Sequence, residues 1–267
     1  MAYCAWLAHL DNYLIEAYNA VPQRVNSSEN VAEIGNLIDP NLVVEWQSDD
    51  AGDAVLIDID LGTNRQVDVV AIVRHNFRST ASVLIQASPN GDTSLGSLSA
   101  AMTWREFLMF KFFSTALNYR YWRITISDIG NPEGYIEASY LFIGKLTRPT
   151  TFSYLYGAQR TTDLMNLEAQ SVYGVRFAER KFARETFQLD FGPVINLTEV
   201  DLLQDLYENV FGNKYPLLFI LDTSVNDAYY VRISNSLEQK RHVQQSTQQR
   251  YTKLELIEDS MTGRPED

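Results

Sequence analysis

Between Val55 and Leu61 the apolar residues Val55, Ile57, Ile59 and Leu61 alternate with Leu56, Asp58 and Asp60. A two-residue period gives a strand one buried face and one wet face, a pattern no helix can present. Gly62-Thr63-Asn64 reads as a turn. The next run, Val67 to Arg74, begins to alternate at Asp68 but is apolar on both sides from Val69 to Val73. Such a strand must be covered on both faces, which places it centrally in a layered structure. Ser82 to Ala87 supplies another strand and Pro89-Asn90-Gly91-Asp92 a strong turn. In Tyr121 to Ser127, Trp122, Ile124 and Ile126 face one way while Tyr121, Arg123, Thr125 and Ser127 face the other. Short strands with turns between them predict a β-sandwich.

At 267 residues the chain accommodates one large or two ordinary domains. Leu146-Thr147-Arg148-Pro149-Thr150-Thr151 is the expected boundary, because Pro149 restricts Arg148 to extended geometry and cannot pair inside a ladder. The expected order is a lead-in over residues 1–24, a first domain over 25–146, a second over 150–260 and a tail over 261–267. In the lead-in, Ala5-Trp6-Leu7 and Leu14-Ile15 fit either a short helix or a strand. In the second domain Phe187, Leu189 and Phe191 alternate with Gln188 and Asp190 up to Gly192-Pro193. A helix follows, capped by Asn196 or Thr198, with Glu199 and Asp201 suiting the positive end of its dipole. Val200, Leu203, Tyr207, Val210 and Phe211 form its apolar stripe, and Gly212 with Pro216 ends it. Leu217 to Leu221, Tyr229 to Ile233 and Tyr251 to Ile257 are further strands, with a polar loop, Glu238 to Gln249, before the last.

The net charge of −12 is spread over both halves, −7 through Arg148 and −5 beyond it. A uniformly acidic surface repels phosphate backbones, so no sequence-specific nucleic-acid partner is expected. No run of 18 apolar residues exists, so no membrane insertion is expected. Met1 to Ala20 is interrupted by His9, Asp11, Asn12 and Glu16, which argues against a secretory signal. The single Cys4 has no internal partner and reads as a small apolar side chain.

The landmarks of the first half follow a particular order. They are Val25-Asn26-Ser27-Ser28-Glu29-Asn30, Asn36-Leu37-Ile38-Asp39-Pro40, Trp46, Ile57 to Gly62, His75-Asn76, Ser88 to Asp92, Tyr121-Trp122-Arg123-Ile124 and Leu141-Phe142-Ile143-Gly144. This succession resembles the discoidin-like (galactose-binding-like) jelly roll. The variant with His75-Asn76 after the third strand, closing on Asn131-Pro132-Glu133-Gly134-Tyr135-Ile136, resembles one found in tail proteins of long-tailed bacteriophages. By element order, and by Leu202 to Tyr207 before Pro216-Leu217-Leu218, the second half resembles the domain with which phage tail-tube and distal-tail proteins close six-membered rings.

The resemblances together cover about nine tenths of the chain. They imply a mainly β protein, an N-terminal jelly-roll sandwich followed by a tail-tube-like β-sandwich or barrel with one flanking α-helix. They also imply a structural component of a siphophage tail tip, most like a distal tail protein. Its partners would be further copies of itself in a ring of six, the tail tube protein, the tip hub proteins and a host-surface glycan. Its place would be the virion tail tip, after assembly in the host cytoplasm. In the usual distal tail protein the ring-forming domain comes first; here the order is reversed. The alternative is a carbohydrate-binding adhesion module recognising host-surface glycans.

Catalytic constellations are missing: the sequence has no His-Glu-x-x-His, Cys-x-x-Cys, Gly-x-Ser-x-Gly or phosphate-cradling glycine loop. No catalytic residue, metal or cofactor is therefore expected, and no enzyme. His9, His75 and His242 fall in different predicted segments, and His75 reads as a strand-end residue whose ring bonds a neighbouring loop. Asp58 and Asp60, roughly 7 Å apart on one strand face, have the chemistry of a glycosidase pair, but a solvated face explains them as well. Asp49, Asp50 and Asp53 suit either a structural calcium or turns.

Ligand loops of such a sandwich cluster at one end, here around Ser48-Asp49-Asp50, His75 to Thr80 and Asn131 to Tyr135. A sugar needs an aromatic platform and polar partners. Trp46, Phe77 and Tyr135 are the candidate platforms, although Trp46 equally suits the core, and Asn76 and Arg78 are the polar partners. The aromatic run Met102 to Phe113 reads mainly as core with a share of subunit contact. Gln239 to Arg250 reads as a projecting hairpin or, with Lys240, Arg241 and Arg250, as a nucleic-acid contact. Asn196-Leu197-Thr198 matches a glycosylation acceptor but is discounted as a helix cap.

Overall fold

The computed structural model describes residues 5–20, 24–25, 31–91, 97–148, 158–170, 176–194, 197–222, 227–236, 239–242 and 249–259. Cys4, Asn196 and the 243–248 tip of the expected hairpin lie outside these. The protein is mainly β, with two antiparallel seven-stranded sheets and flanking helices. Among the described residues no helix is long and apolar enough to cross a membrane. The chain divides into two compact units, His9–Thr147 and Met1–Ala8 with Arg148–Asp267.

The lead-in is therefore not a segment of its own. Ala5–Ala8 forms strand β1, buried along its whole length, in the sheet of the second unit. Tyr13–Ala20 forms helix α1 of the first unit, with Leu14 and Ala17, one helical turn apart, turned into that unit's core.

The His9–Thr147 unit contains β2 (Arg24–Val25), β3 (Trp46–Gln47), β4 (Val55–His75), β5 (Ser82–Ser88), β6 (Leu98–Ala101), β7 (Leu108–Ser127) and β8 (Glu137–Gly144). Their order is β3-β8-β4-β7-β5-β6, with β2 on β4. The expected turn at Gly62 does not reverse the chain. Pairing of Asp60 with Tyr121 resumes at Arg65 with Tyr119, so residues 61–64 bulge out of one continuous strand. The turn chemistry is present: Gly62 has φ +73° and its N–H donates to Asp60 Oδ1 at 2.8 Å. The bulge wins because β7 runs beside both halves of β4 and holds them in one ladder.

The core follows the two-residue period. Val55, Ile57, Ile59 and Leu61 point inward with Val83, Ile85, Trp122, Ile124 and Ile126. A second irregularity, between Val67 and Val69, shifts the parity, so Val70 and Ile72 continue the core while Val69, Ala71 and Val73 are buried on the opposite side. Asp68, the polar residue of this run, is buried and accepts the Leu146 N–H at 2.7 Å.

A buried asparagine closes the free edge of β8. Asn12 Nδ2 donates to Leu141 O at 2.8 Å and its Oδ1 accepts from Ile143 N–H at 3.1 Å, so one amide stands in for a neighbouring strand. His9 Nδ1 lies 2.7 Å from the hydroxyl of the fully buried Tyr140, whose pKa burial pushes well above its usual range.

The second unit holds β1, β9 (Ala158–Gln170), β10 (Arg176–Val194), β11 (Leu217–Asp222), β12 (Asp227–Ile233), β13 (Gln239–His242) and β14 (Gln249–Glu258), in the order β1-β11-β12-β14-β10-β9 with β13 on β14. Helix α2 (Leu197–Asn209) packs on this sheet through Leu203 and Leu206, with Val210 just beyond its end, against Phe187, Leu189, Phe219 and Leu254. Phe211, expected on the apolar stripe, is 60% exposed. The helix has already ended there: Phe211 and Gly212 take positive φ (51° and 72°), and Gly212 N–H returns to Tyr207 O at 2.8 Å. In β10 only Thr186 to Val194 pairs with β14, whereas Arg176 to Glu185 pairs with β9 alone among the described residues. The β9–β10 hairpin thus runs past its sheet as a two-stranded ribbon.

Candidate functional site

The three loops expected to gather at one end of the sandwich do meet, and Asn76 holds two of them. Its Nδ2 donates to Glu133 Oε2 and to Tyr135 O, both at 3.0 Å, and its Oδ1 accepts from Glu137 N–H at 2.9 Å. The third loop is tied in by backbone and hydroxyl. Ser48 N–H donates to Ile136 O at 2.8 Å, Ile136 N–H donates to Ser48 Oγ at 2.9 Å, and Ala51 N–H donates to Gly134 O at 2.9 Å. Asn131 extends the network, donating from Nδ2 to Asn76 O at 3.2 Å and to Asp128 Oδ2 at 3.0 Å.

Arg78 grips the same end. Its Nε donates to Asp128 Oδ1 at 2.8 Å, its backbone N–H to Asp128 Oδ2 at 3.0 Å and its Nη2 to Ile129 O at 2.6 Å. The Asp128 side chain is fully buried while that of Arg78 stays 39% exposed, so one edge of the guanidinium is structural and the group still reaches water. His75 completes the corner. Nε2 lies 2.8 Å from Arg105 O, and Nδ1 accepts from Phe77 N–H at 3.2 Å. Those partners assign the neutral Nε2–H tautomer, and burial lowers the imidazole pKa to about 4.

The five sequence-predicted ligand residues separate by burial. Trp46 and Phe77 are 0% and 4% exposed and belong to the core, so neither offers a ring face to a ligand. Trp46 is inward because β3 pairs it with the buried Ala138 of β8, and Phe77 because its ring stacks on His75 at 4.3 Å between centroids. Asn76, half-buried, spends its amide on the loops. Arg78 and Tyr135 remain at the surface, Tyr135 half-buried beside the exposed Glu133, whose charge raises the phenol pKa.

The other candidates resolve into structural roles. Asp58 takes both ends of Arg123 (2.5 and 2.8 Å) and Asp60 both ends of Arg120 (2.6 and 2.8 Å), so these carboxylates are cross-strand ion pairs. Arg120 holds the Asp60 pKa below its ordinary value. Asp50 Oδ1 accepts from Gly52 N–H at 2.9 Å as a turn former, and the described residues contain no group of three His, Cys, Asp or Glu able to hold a metal ion. In the aromatic run Phe110 and Phe113 are buried, and Trp104 donates its indole N–H to Phe77 O at 2.8 Å. The second unit carries a separate groove of about 340 Å³ lined by Gln159, Gln188, Asp190, Asn235, Lys253 and Glu255.

A second feature had no sequence signal. Glu45, Glu137, Glu133 and Arg74 converge at this loop end. Arg74 takes a left-handed backbone (φ 49°), donates to Leu42 O and pairs with Glu45 at 2.6 Å. Glu45 and Glu137 lie 92 positions apart, and only the β3–β8 pairing brings them together.

Fold and loop end together define a two-unit antiparallel β protein whose first unit gathers its polar loops at one end. No protein-family model matches this chain, and no curated protein matches it in sequence. Solved structures similar to it in backbone include a chitosan-binding module of a chitosanase/glucanase from Paenibacillus sp. IK-5. That module shows 18% identity and a TM-score of 0.39, with 50% of this chain and 97% of the module covered. A family 32 carbohydrate-binding module from Clostridium perfringens NanJ, solved with galactose, shows 18% identity and a TM-score of 0.37 over 52% of this chain and 98% of its own. The lectin domain of lectinolysin, complexed with Lewis B antigen, shows 12% identity and a TM-score of 0.37 over 46% and 91%.

Proposed function

We propose that the protein is a non-catalytic binding component whose sandwich unit takes carbohydrate at the loop end built around Asn76. The observation that carries this reading is the common footing of Arg78, Glu133 and Tyr135. A guanidinium, a carboxylate and a phenol ring rise from loops cross-linked by Asn76 and Asn131, so their spacing is set before any ligand arrives. Tyr135 supplies the ring for the apolar face of a sugar, and the charged pair supplies hydrogen bonds to its hydroxyls. A glycan array probed with the full chain tests this, followed by titration of the best ligand. Tyr135→Ala and Arg78→Ala are expected to weaken binding by about tenfold or more, about 1.4 kcal/mol. An array without signal, or undiminished affinity in both variants, would overturn it.

A second reading, assembly into a phage tail tip, is favoured by the ribbon of Arg176 to Glu185 with its β9 partner. A two-stranded ribbon is marginally stable by itself in water, so one this long suits a surface supplied by another copy of the chain. In this reading six copies close a ring between tail tube and tip hub, with the sandwich outside at the virion tail tip. Light scattering on the purified chain tests it: a closed oligomer is expected, and a monomer at all concentrations would end it.

A further inference from the structure

We infer that the outer face of α2 is the docking surface for the β13–β14 hairpin of a second copy of this chain. The net charge is −12, yet the second unit sorts the two signs onto different elements. Helix α2 contains Glu199, Asp201, Asp205 and Glu208 and no Lys or Arg, whereas residues 239–253 contain Lys240, Arg241, Arg250 and Lys253 and no acid. With Leu203, Leu206 and Val210 turned into the core, Asp201, Asp205 and Glu208 lie exposed on the other side of the helix, at i, i+4 and i+7. Like charges at that spacing repel, and Glu208 sits near the negative end of the helix dipole. Among the described residues no cation pairs with any of the three, and Glu208 Oε1 accepts from the Gln204 amide at 2.7 Å. The hairpin of the same chain therefore does not meet this stripe.

The stripe ends on an aromatic ring. Phe211 is 60% exposed and takes φ 51°, the left-handed cap position at which glycine is favoured, with Gly212 one residue late. Three bonds hold the cap in place: Phe211 N–H on Glu208 O at 2.9 Å, Gly212 N–H on Tyr207 O at 2.8 Å and Tyr215 N–H on Val210 O at 2.9 Å. Carboxylates beside an exposed ring are the chemistry that recognises arginine, by forked hydrogen bonds and by cation–π contact. Lys214 Nζ, 5.9 Å from the Phe211 ring centroid, already makes a contact of the second kind. The hairpin supplies the matching cations. Its register sets Arg241 directly opposite Arg250, and like charges facing each other destabilise a ladder. Each element thus carries a repulsion that the other relieves. Because the two patches differ, the contact is head-to-tail, and it either closes a ring or grows as an open chain.

Sedimentation velocity of the full chain tests the contact. The unaltered chain is expected to self-associate, about tenfold more weakly at about 0.5 M salt than at about 0.05 M. Asp205→Lys with Glu208→Lys reverses the helix face, and lysine near a helix C-terminus suits the dipole, so the fold is kept. Lys240→Glu with Arg241→Glu reverses the hairpin. Each double variant alone should associate about tenfold or more weakly, and an equimolar mixture of the two should regain the association, a rescue that misfolding cannot imitate. Phe211→Gly removes the ring together with its left-handed penalty, so its urea midpoint should rise while its association falls. A chain that is monomeric at every concentration, whether or not its hairpin binds a single-stranded oligonucleotide, would overturn the inference. So would reversed variants or a Phe211→Gly chain that associate like the parent, or a mixture that stays apart. The contact rests on the assembly reading only for the number of copies it joins. A ring of fixed mass untouched by the reversals removes the contact alone, and open-ended growth abolished by them removes the ring alone.

Discussion

Replacing Asn76 separates a ligand contact from a positioning residue. Asn76→Ala removes the two donations to Glu133 and Tyr135 and the acceptor for Glu137 N–H. At about 0.5–1.5 kcal/mol net for each part-buried bond, the sandwich unit should lose about 2–4 kcal/mol. Asn76→Asp keeps the acceptor for Glu137 N–H but sets a carboxylate against Glu133 and the Tyr135 carbonyl. It should cost more than alanine at pH 7 and recover as pH falls, because protonation restores a donor and removes the repulsion. Urea unfolding followed by tryptophan fluorescence reads this unit, since Trp46, Trp104 and Trp122 lie in it and Trp6 in the other. The unit's transition is compared with that of the unaltered chain. If Asn76→Ala unfolds within about 0.5 kcal/mol of the parent while glycan affinity collapses, the amide contacts ligand and the positioning argument is wrong.

Three further outcomes follow from the same reasoning. Asn12→Leu strips the β8 edge of partners for Leu141 O and Ile143 N–H, both buried, and should cost about 2–5 kcal/mol; a thermal melt unchanged by it would show the edge to be covered otherwise. His75, neutral and lowered to about 4, binds its proton less readily folded than unfolded, so stability should fall as pH drops from 6.5 towards 4, by up to about 3 kcal/mol. Persistence of that decline in His75→Gln would exclude the imidazole as its source. Asp58→Asn breaks a partly exposed ion pair with Arg123 and should cost only about 0.5–1 kcal/mol, a double-mutant cycle giving the coupling; a loss above about 3 kcal/mol would mean the pair is effectively buried.

The strands were legible where a period was long enough to read. Val55 to Leu61 and Tyr121 to Ser127 alternate over seven residues, and their inward sets coincide with the core. The two-sided run at Val69 to Val73 was legible for the same reason. Gly62 was half legible: its positive φ follows from local chemistry, but whether the chain then reverses or bulges depends on what β7 does, some sixty residues later. The lead-in was not legible, since Ala5 to Ala8 is too short for a period and its state is decided by β11, more than two hundred residues away.

Residue type located the loop end, and burial then divided its members in a way type could not. Trp46 and Tyr135 are both aromatic, both near polar loops and both within two residues of an acid, yet one has no exposed surface and the other borders water. What separates them is pairing: Trp46 lies opposite buried Ala138 in a strand of two residues, too short to show which side faces inward. The carboxyl pair is the stronger case. Glu45 and Glu137 lie far apart in sequence, and they come onto one face beside a strained Arg74 only when two short segments pair in register. Local signals report what a residue can do, whereas strand pairing decides which other residues the topology sets beside it. A loop end of this kind therefore shows its position before its chemistry, and its chemistry turns on register more than on composition.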